Sequence, residues 1–226
     1  EKSRCVRAAE LSRVELLWAR TERNRALTEC RNLAERYPDL PGAHTLLIEM
    51  LLAAGQKETA LERAAEIQRI FRSEGWVQLS LARTFARHGE VDHALAFAHD
   101  LQENDPMEHR AAEFLARMYL RAGMPHLASR HARRAIEIAP QSGTAHLLAG
   151  KAARGLGRNT EALKHLDRAV ELNPEQADAL FARGKARLEA GNGEKALEDL
   201  RSACELNGAG RFRYAYGKAL IKSGQP

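Results

Sequence analysis

The chain has 226 residues, of which 44% are hydrophobic, 29% charged and 5% aromatic, and its formal net charge is +5. That balance belongs to a folded chain, and the scarcity of aromatics beside recurrent Ala and Leu favours packed helices over sheets. No apolar run approaches the ~20 residues of a membrane span. Cys5, Cys30 and Cys204 are odd in number and widely spaced, with no Cys-x-x-Cys pair, so neither a disulfide framework nor a zinc site is indicated, and so modest a positive excess does not by itself specify nucleic acid.

Self-similarity organises the rest. Pro38, Pro106, Pro140 and Pro174 are spaced by 68, 34 and 34 residues, which sets a 34-residue period and six units: 5–38, 39–72, 73–106, 107–140, 141–174 and 175–208, followed by a half unit, 209–226. Each unit reads as a helix of about 14 residues, a tight turn, and a second helix that ends near the proline. The first unit carries Thr21 where a turn glycine is expected, then Ala26. The second has Gly55 and Ala60, with Arg72 in the place of the proline. The third and fourth repeat the pattern with Gly89 and Ala94, then Gly123 and Ala128.

In the fifth unit, Leu147, Leu148, Ala153 and Leu156 make one side of the first helix apolar. Ala162, Leu163, Leu166, Ala169, Val170 and Leu172 do the same for the second, at three-and-four spacing. The sixth unit follows with Gly191 and Ala196, and Gly208 replaces its proline. The half unit aligns Gly217 with Gly184 and Gly224 with Gly191 only if one residue is deleted near Gly208 to Gly210. Twelve residues before each alanine stand Val14, Ile48, Ala82, Ala116, Gly150 and Gly184. Small residues at a helix crossing let the axes approach the short end of the ~8–10 Å range, so the first two hairpins are expected to be splayed and the last four regular.

Gly150, Gly157, Ala162, Leu166, Ala169 and Pro174, with Gly184, Gly191, Ala196, Leu200 and Ala203 after them, resemble the signature of the tetratricopeptide repeat family. The resemblance covers residues 5–226. It implies an all-α, right-handed superhelical solenoid of helix-turn-helix repeats, about six plus a final helix, forming a single array over 1–226. A lone hairpin cannot bury both faces, and stacking closes the core. The final helix is expected to be either a cap or the first half of another repeat; Phe212, Tyr214 and Tyr216 favour the latter.

The family implies that first helices line a concave groove. One position after the small site, the first helices carry Glu15, Glu49, Arg83, Arg117, Lys151, Lys185 and Lys218; four residues further on come Ala19, Ala53, Arg87, Arg121, Gly155, Glu189 and Lys222. The stripe is basic from Arg83 onward. Candidate partner-binding residues are these cations from Arg83 to Lys222, with Arg110 and Arg154 on the same helices and Trp76, Leu79, Phe181 and Tyr214 as apolar or stacking neighbours. The asparagines that a chaperone-tail clamp places beside its lysines are absent from this groove.

His88, His93 and His99 are spaced by five and six residues, and His126 and His131 by five, which suits no helical metal site. No phosphate loop, dinucleotide fingerprint or Gly-x-Ser-x-Gly is present. The chain is therefore expected to be no enzyme and to need no cofactor or metal. It is expected to act as a scaffold or adaptor that binds an extended, acidic protein or peptide segment. An alternative is a targeting or recruitment region of a larger enzyme or polysaccharide secretion apparatus, with an acidic polysaccharide as ligand. Self-association through Trp18, Leu51 and Leu52 is a further possibility, and nucleic acid ranks below these. A first residue of Glu1 rather than Met is expected of a chain that has lost a leader or belongs to a longer protein. A soluble chain, cytoplasmic or periplasmic, is expected, and the excess of Arg over Lys points to a GC-rich bacterial source.

Overall fold

A computed structural model describes residues 2–222 as helices and connections, with side chains described from Val6 to Ile221. Gly224 lies outside the described residues, as do the side chains of Cys5 and Lys222. Among the described residues there are thirteen α-helices and no strand. Between Asp105 and Pro106 the chain divides into two compact units. The first holds α1 (Lys2–Ala19), α2 (Arg23–Arg36), α3 (Pro41–Ala53), α4 (Lys57–Ile70), α5 (Gly75–Arg87) and α6 (Val91–Asn104). The second holds α7 (His109–Arg121), α8 (Pro125–Ile138), α9 (Gly143–Gly155), α10 (Asn159–Leu172), α11 (Ala177–Glu189), α12 (Gly193–Leu206) and α13 (Gly210–Lys222).

Each hairpin turns in the same way. Gly55, Gly89, Gly123, Gly157 and Gly191 have φ between 70° and 84°. The residue after each donates its N–H to the carbonyl five residues back, as in Arg158 N to Ala153 O at 2.9 Å, which satisfies a carbonyl that the helix end leaves open. Thr21 holds the same place at φ 64°, the one non-glycine residue with positive φ among those described, and Glu22 N still reaches Leu17 O at 3.1 Å.

The second helices end where proline follows. Tyr37, Asp105, Ala139 and Asn173 have φ between −125° and −146° with ψ from 72° to 87°, the extended backbone that a following proline enforces. Phe71, before Arg72, instead keeps ψ at 36°, and its ring is buried against His44 at 6.1 Å between centroids. The connection 207–209 between α12 and α13 is one residue shorter than 173–176 between α10 and α11.

Ala26, Ala60, Ala94, Ala128, Ala162 and Ala196 are all fully buried. Their partners across the hairpin set how closely the helices approach. Contact between paired helices is sparse in α1/α2 and α3/α4, closer in α5/α6 and α7/α8, and closest in α9/α10, following the series Val14, Ile48, Ala82, Ala116, Gly150. A Cβ placed on Gly150 would lie 2.5 Å from Leu166 Cγ and 3.1 Å from Ala162 O, so α10 occupies the space that any side chain there would need. Gly184 stands likewise against Leu200 and Ala196. Gly217 would meet nothing within 4 Å among the described residues.

Polar groups lock successive hairpins of the second unit. Asp199, 4% exposed, accepts from Arg183 at 2.7 and 2.9 Å and from Arg187 at 2.9 Å, and both guanidiniums also reach Asp167, at 3.2 and 3.3 Å. Ser142 caps α9 through Ala145 N at 3.2 Å and donates its hydroxyl to the buried Glu113 of α7. Cys30 is buried, and Cys204 is half-buried against the core that includes Phe212.

Candidate functional site

The helix geometry that turns Gly150 toward α10 swings the next side chain, Lys151, about a quarter-turn away, to the side where α7, α9 and α11 pack on one another. There it sits half-buried at the junction of two adjoining cavities, both of which it lines together with Leu120. One, of about 410 Å³, is mostly apolar and is walled by Leu120, Pro125, Gly155, Phe181 and Ala182, with Arg154 and Lys185 at its rim. The other, of about 520 Å³, is lined by Arg117, Arg121, Thr144, Gln176, Asp178 and Arg211, over the aliphatic floor of Leu147 and Leu148. Both volumes fall in the range of ligand pockets.

The electrostatics are one-sided. Asp178 is the single carboxylate lining either cavity, and it is held by Arg211 at 2.5 Å. Arg154 is spent on Glu189 at 2.8 Å. Lys151 has no ion pair among the described residues. Burial drives its ammonium pKa below the usual lysine value; Asp178 opposes that, and Arg211, Arg117 and Arg154 add to it. Lys185 lies over the Phe181 ring at 5.5 Å, and Phe181 meets the buried Phe212 edge-on at 5.1 Å.

Two hydrogen-bonding atoms here are buried without partners: Gln176 Oε1 on the polar cavity and Arg154 Nε on the apolar one. Buried polar atoms are nearly always satisfied, so such a pair is conspicuous at a cavity.

Of the residues expected from sequence, the structure brings together Arg117, Arg121, Lys151, Arg154, Phe181 and Lys185. Lys218 and Tyr214 are exposed on α13 and line neither cavity, while the Lys222 side chain lies outside the described residues. Arg110 serves its own helix end instead. It bonds Glu108 at 2.6 and 2.8 Å, holding that N-cap carboxyl below its usual pKa range while Glu108 accepts from Arg110 N.

In the first unit, Arg87 is gripped by both oxygens of Glu49, at 2.8 and 3.2 Å. Arg83 and Trp76 are exposed, the latter bonding Glu74 through its indole N–H. Leu79 departs from expectation: at 2% exposure it is part of the core. Leu51 is also buried, which leaves the half-buried Trp18 and Leu52 of the apolar surface expected there.

Arg211, Gln176 and Thr144 were not foreseen. They come from the first turns of first helices and the residues just before them, whereas the basic stripe follows the middle and end of each helix. The signal lies in the half unit, where Arg211 stands in the first turn of α13, about two turns before the stripe position Lys218.

Among the described residues no group of three or more His, Cys, Asp or Glu could hold a metal ion, and no helix is long and apolar enough to cross a membrane. No curated protein sequence matches the chain. Solved structures do match. MamA from Desulfovibrio magneticus RS-1, from residue 41 to its end, is 19% identical with a TM-score of 0.59 over 74% of this chain and 94% of that one. YrrB, described as a TPR protein with an unusual peptide-binding site, is 18% identical with a TM-score of 0.57, over 84% and 97%. A chain of the APC/C hetero-tetramer Cut9–Hcn1 is 14% identical with a TM-score of 0.66, over 95% of this chain and 43% of that one. At such identities the likeness is one of fold. The tetratricopeptide repeat family model, however, matches residues 79–143 and 147–211, more than half of the sequence. The buried alanine and the left-handed turn are thus inherited packing marks, and the chain belongs to the tetratricopeptide repeat family.

Proposed function

We infer that this chain is a non-catalytic interaction scaffold and that its second unit seats an extended acidic segment of a partner protein across the depression around Lys151. The observation that carries this reading is the half-buried Lys151 ammonium, without a carboxylate of its own where two cavities meet. Desolvating a charge without pairing it is unfavourable, and a ligand carboxylate would relieve that cost. Arg117, Arg121 and Lys185 add to the same field, and a concavity with low-dielectric walls concentrates it. The positions shared with the family are packing positions, so the ligand must be argued from these residues and not from the fold.

The test is titration of the 226-residue chain with a fluorescent oligoglutamate. Affinity should fall as sodium chloride is raised, and the double variant Arg117→Glu, Lys151→Glu should bind no longer. Several cations must act together, since a single exposed pair contributes only ~0–1 kcal/mol. Affinity unchanged by salt and by the double variant overturns the reading.

A further inference from the structure

The apolar cavity and the two unpartnered atoms are not accounted for by charge alone. The first is a largely hydrocarbon-walled space of about 410 Å³ that opens beside Lys151. The second is the pair formed by Gln176 Oε1, which can only accept, and Arg154 Nε, which can only donate. They flank Lys151 from opposite cavities, one supplied just before α11 and the other by the last turn of α9. A polypeptide in extended conformation carries the complement of both, an N–H and a C=O on its main chain, and it can present side chains of different character close to one another.

An acidic polysaccharide fits less well. It supplies carboxylates in abundance, but it has no apolar side chain to fill the space between Leu120, Pro125 and Phe181.

Resting on the reading above, we propose that the second unit recognises a peptide in which a bulky aliphatic or aromatic residue stands beside an acidic one. The carboxylate lies against Lys151 and Arg117, the apolar side chain enters the cavity of Leu120, Pro125, Phe181 and Ala182, and the intervening main chain satisfies Gln176 Oε1 and Arg154 Nε. Specificity then comes from the apolar residue and affinity at long range from the charge. Removing a hydrocarbon group from a fitted pocket costs about tenfold or more in binding.

The experiment uses the full chain and four fluorescent probes: an eight-residue peptide of Glu with two central Leu, the same peptide with Ala for Leu, the same with Gln for Glu, and oligogalacturonate. The Leu–Glu peptide should bind about tenfold or more tighter than the Ala version, and the Gln version should bind weakly. In Lys151→Met, which keeps the length of the side chain, the preference for Glu over Gln should collapse while the preference for Leu over Ala remains. Changing the ligand leaves the protein fold untouched, so the first comparison holds even if a variant unfolds. Equal binding of the Leu and Ala peptides, or oligogalacturonate binding as tightly as the Leu–Glu peptide, overturns this proposal while leaving the acidic groove standing. Absence of binding by every acidic probe overturns both.

Discussion

Thr21 is a β-branched residue in the left-handed region, where its Cβ crowds the following carbonyl; it is held there by the same turn hydrogen bond that glycine makes in the other hairpins. Thr21→Gly should therefore stabilise the chain by about 1 kcal/mol, read as a higher midpoint in urea. Gly157→Ala, at φ 74°, should act in the opposite direction. Lys151 presents the reverse compromise. Its folded pKa lies below the free value of 10.5, so between the two the unfolded chain holds more protons and stability rises with pH. Lys151→Met should accordingly raise thermal stability near neutral pH while weakening oligoglutamate binding. In the native chain that binding should decline as pH climbs through the lowered pKa, because the ammonium loses its proton. Cys30, whose thiol burial pushes up to about 12, should resist Ellman's reagent at pH 8 until the chain is unfolded, as mass-spectrometric mapping of the labelled peptides can check.

At the scale of helices and hairpins, the determinants are points of closest approach. Gly150→Val would drive a branched side chain into Leu166 and the Ala162 carbonyl and should cost about 2–3 kcal/mol. Gly217→Ala, facing open space in the interior of α13, should gain roughly 0.5–1 kcal/mol by helix propensity alone. Asp199→Ala would leave Arg183 and Arg187 facing one another, shared only by Asp167, and should cost ~3–5 kcal/mol in denaturant unfolding. The hairpins were legible in the sequence because a turn with positive φ calls for glycine and a tight crossing calls for alanine, and each constraint recurs at fixed offsets. The cavities were less so. The partners that neutralise Arg87 and Arg154, namely Glu49 and Glu189, lie 38 and 35 residues away, on neighbouring hairpins. A stripe of cations read along the chain cannot tell a spent guanidinium from a free ammonium. Leu79 shows the same limit for apolar residues: it stands only about 40° around α5 from the exposed Arg83, yet it is buried.

For the molecule as a whole, the division after Asp105 leaves the depression complete within the second unit, since all of its lining residues lie between Arg117 and Arg211. Residues 106–226 alone should thus fold to a helical circular-dichroism spectrum and bind oligoglutamate as tightly as the full chain. A loss of affinity on removing the first unit would assign part of the binding to Arg83 and its surroundings. The hairpin with the least slack, where Gly150 admits Leu166, is the one that carries Lys151. A receptor whose walls are already set forfeits little freedom when it is occupied. Capture at this spot should be governed by how quickly a negatively charged visitor is drawn in, with no slow rearrangement following its arrival.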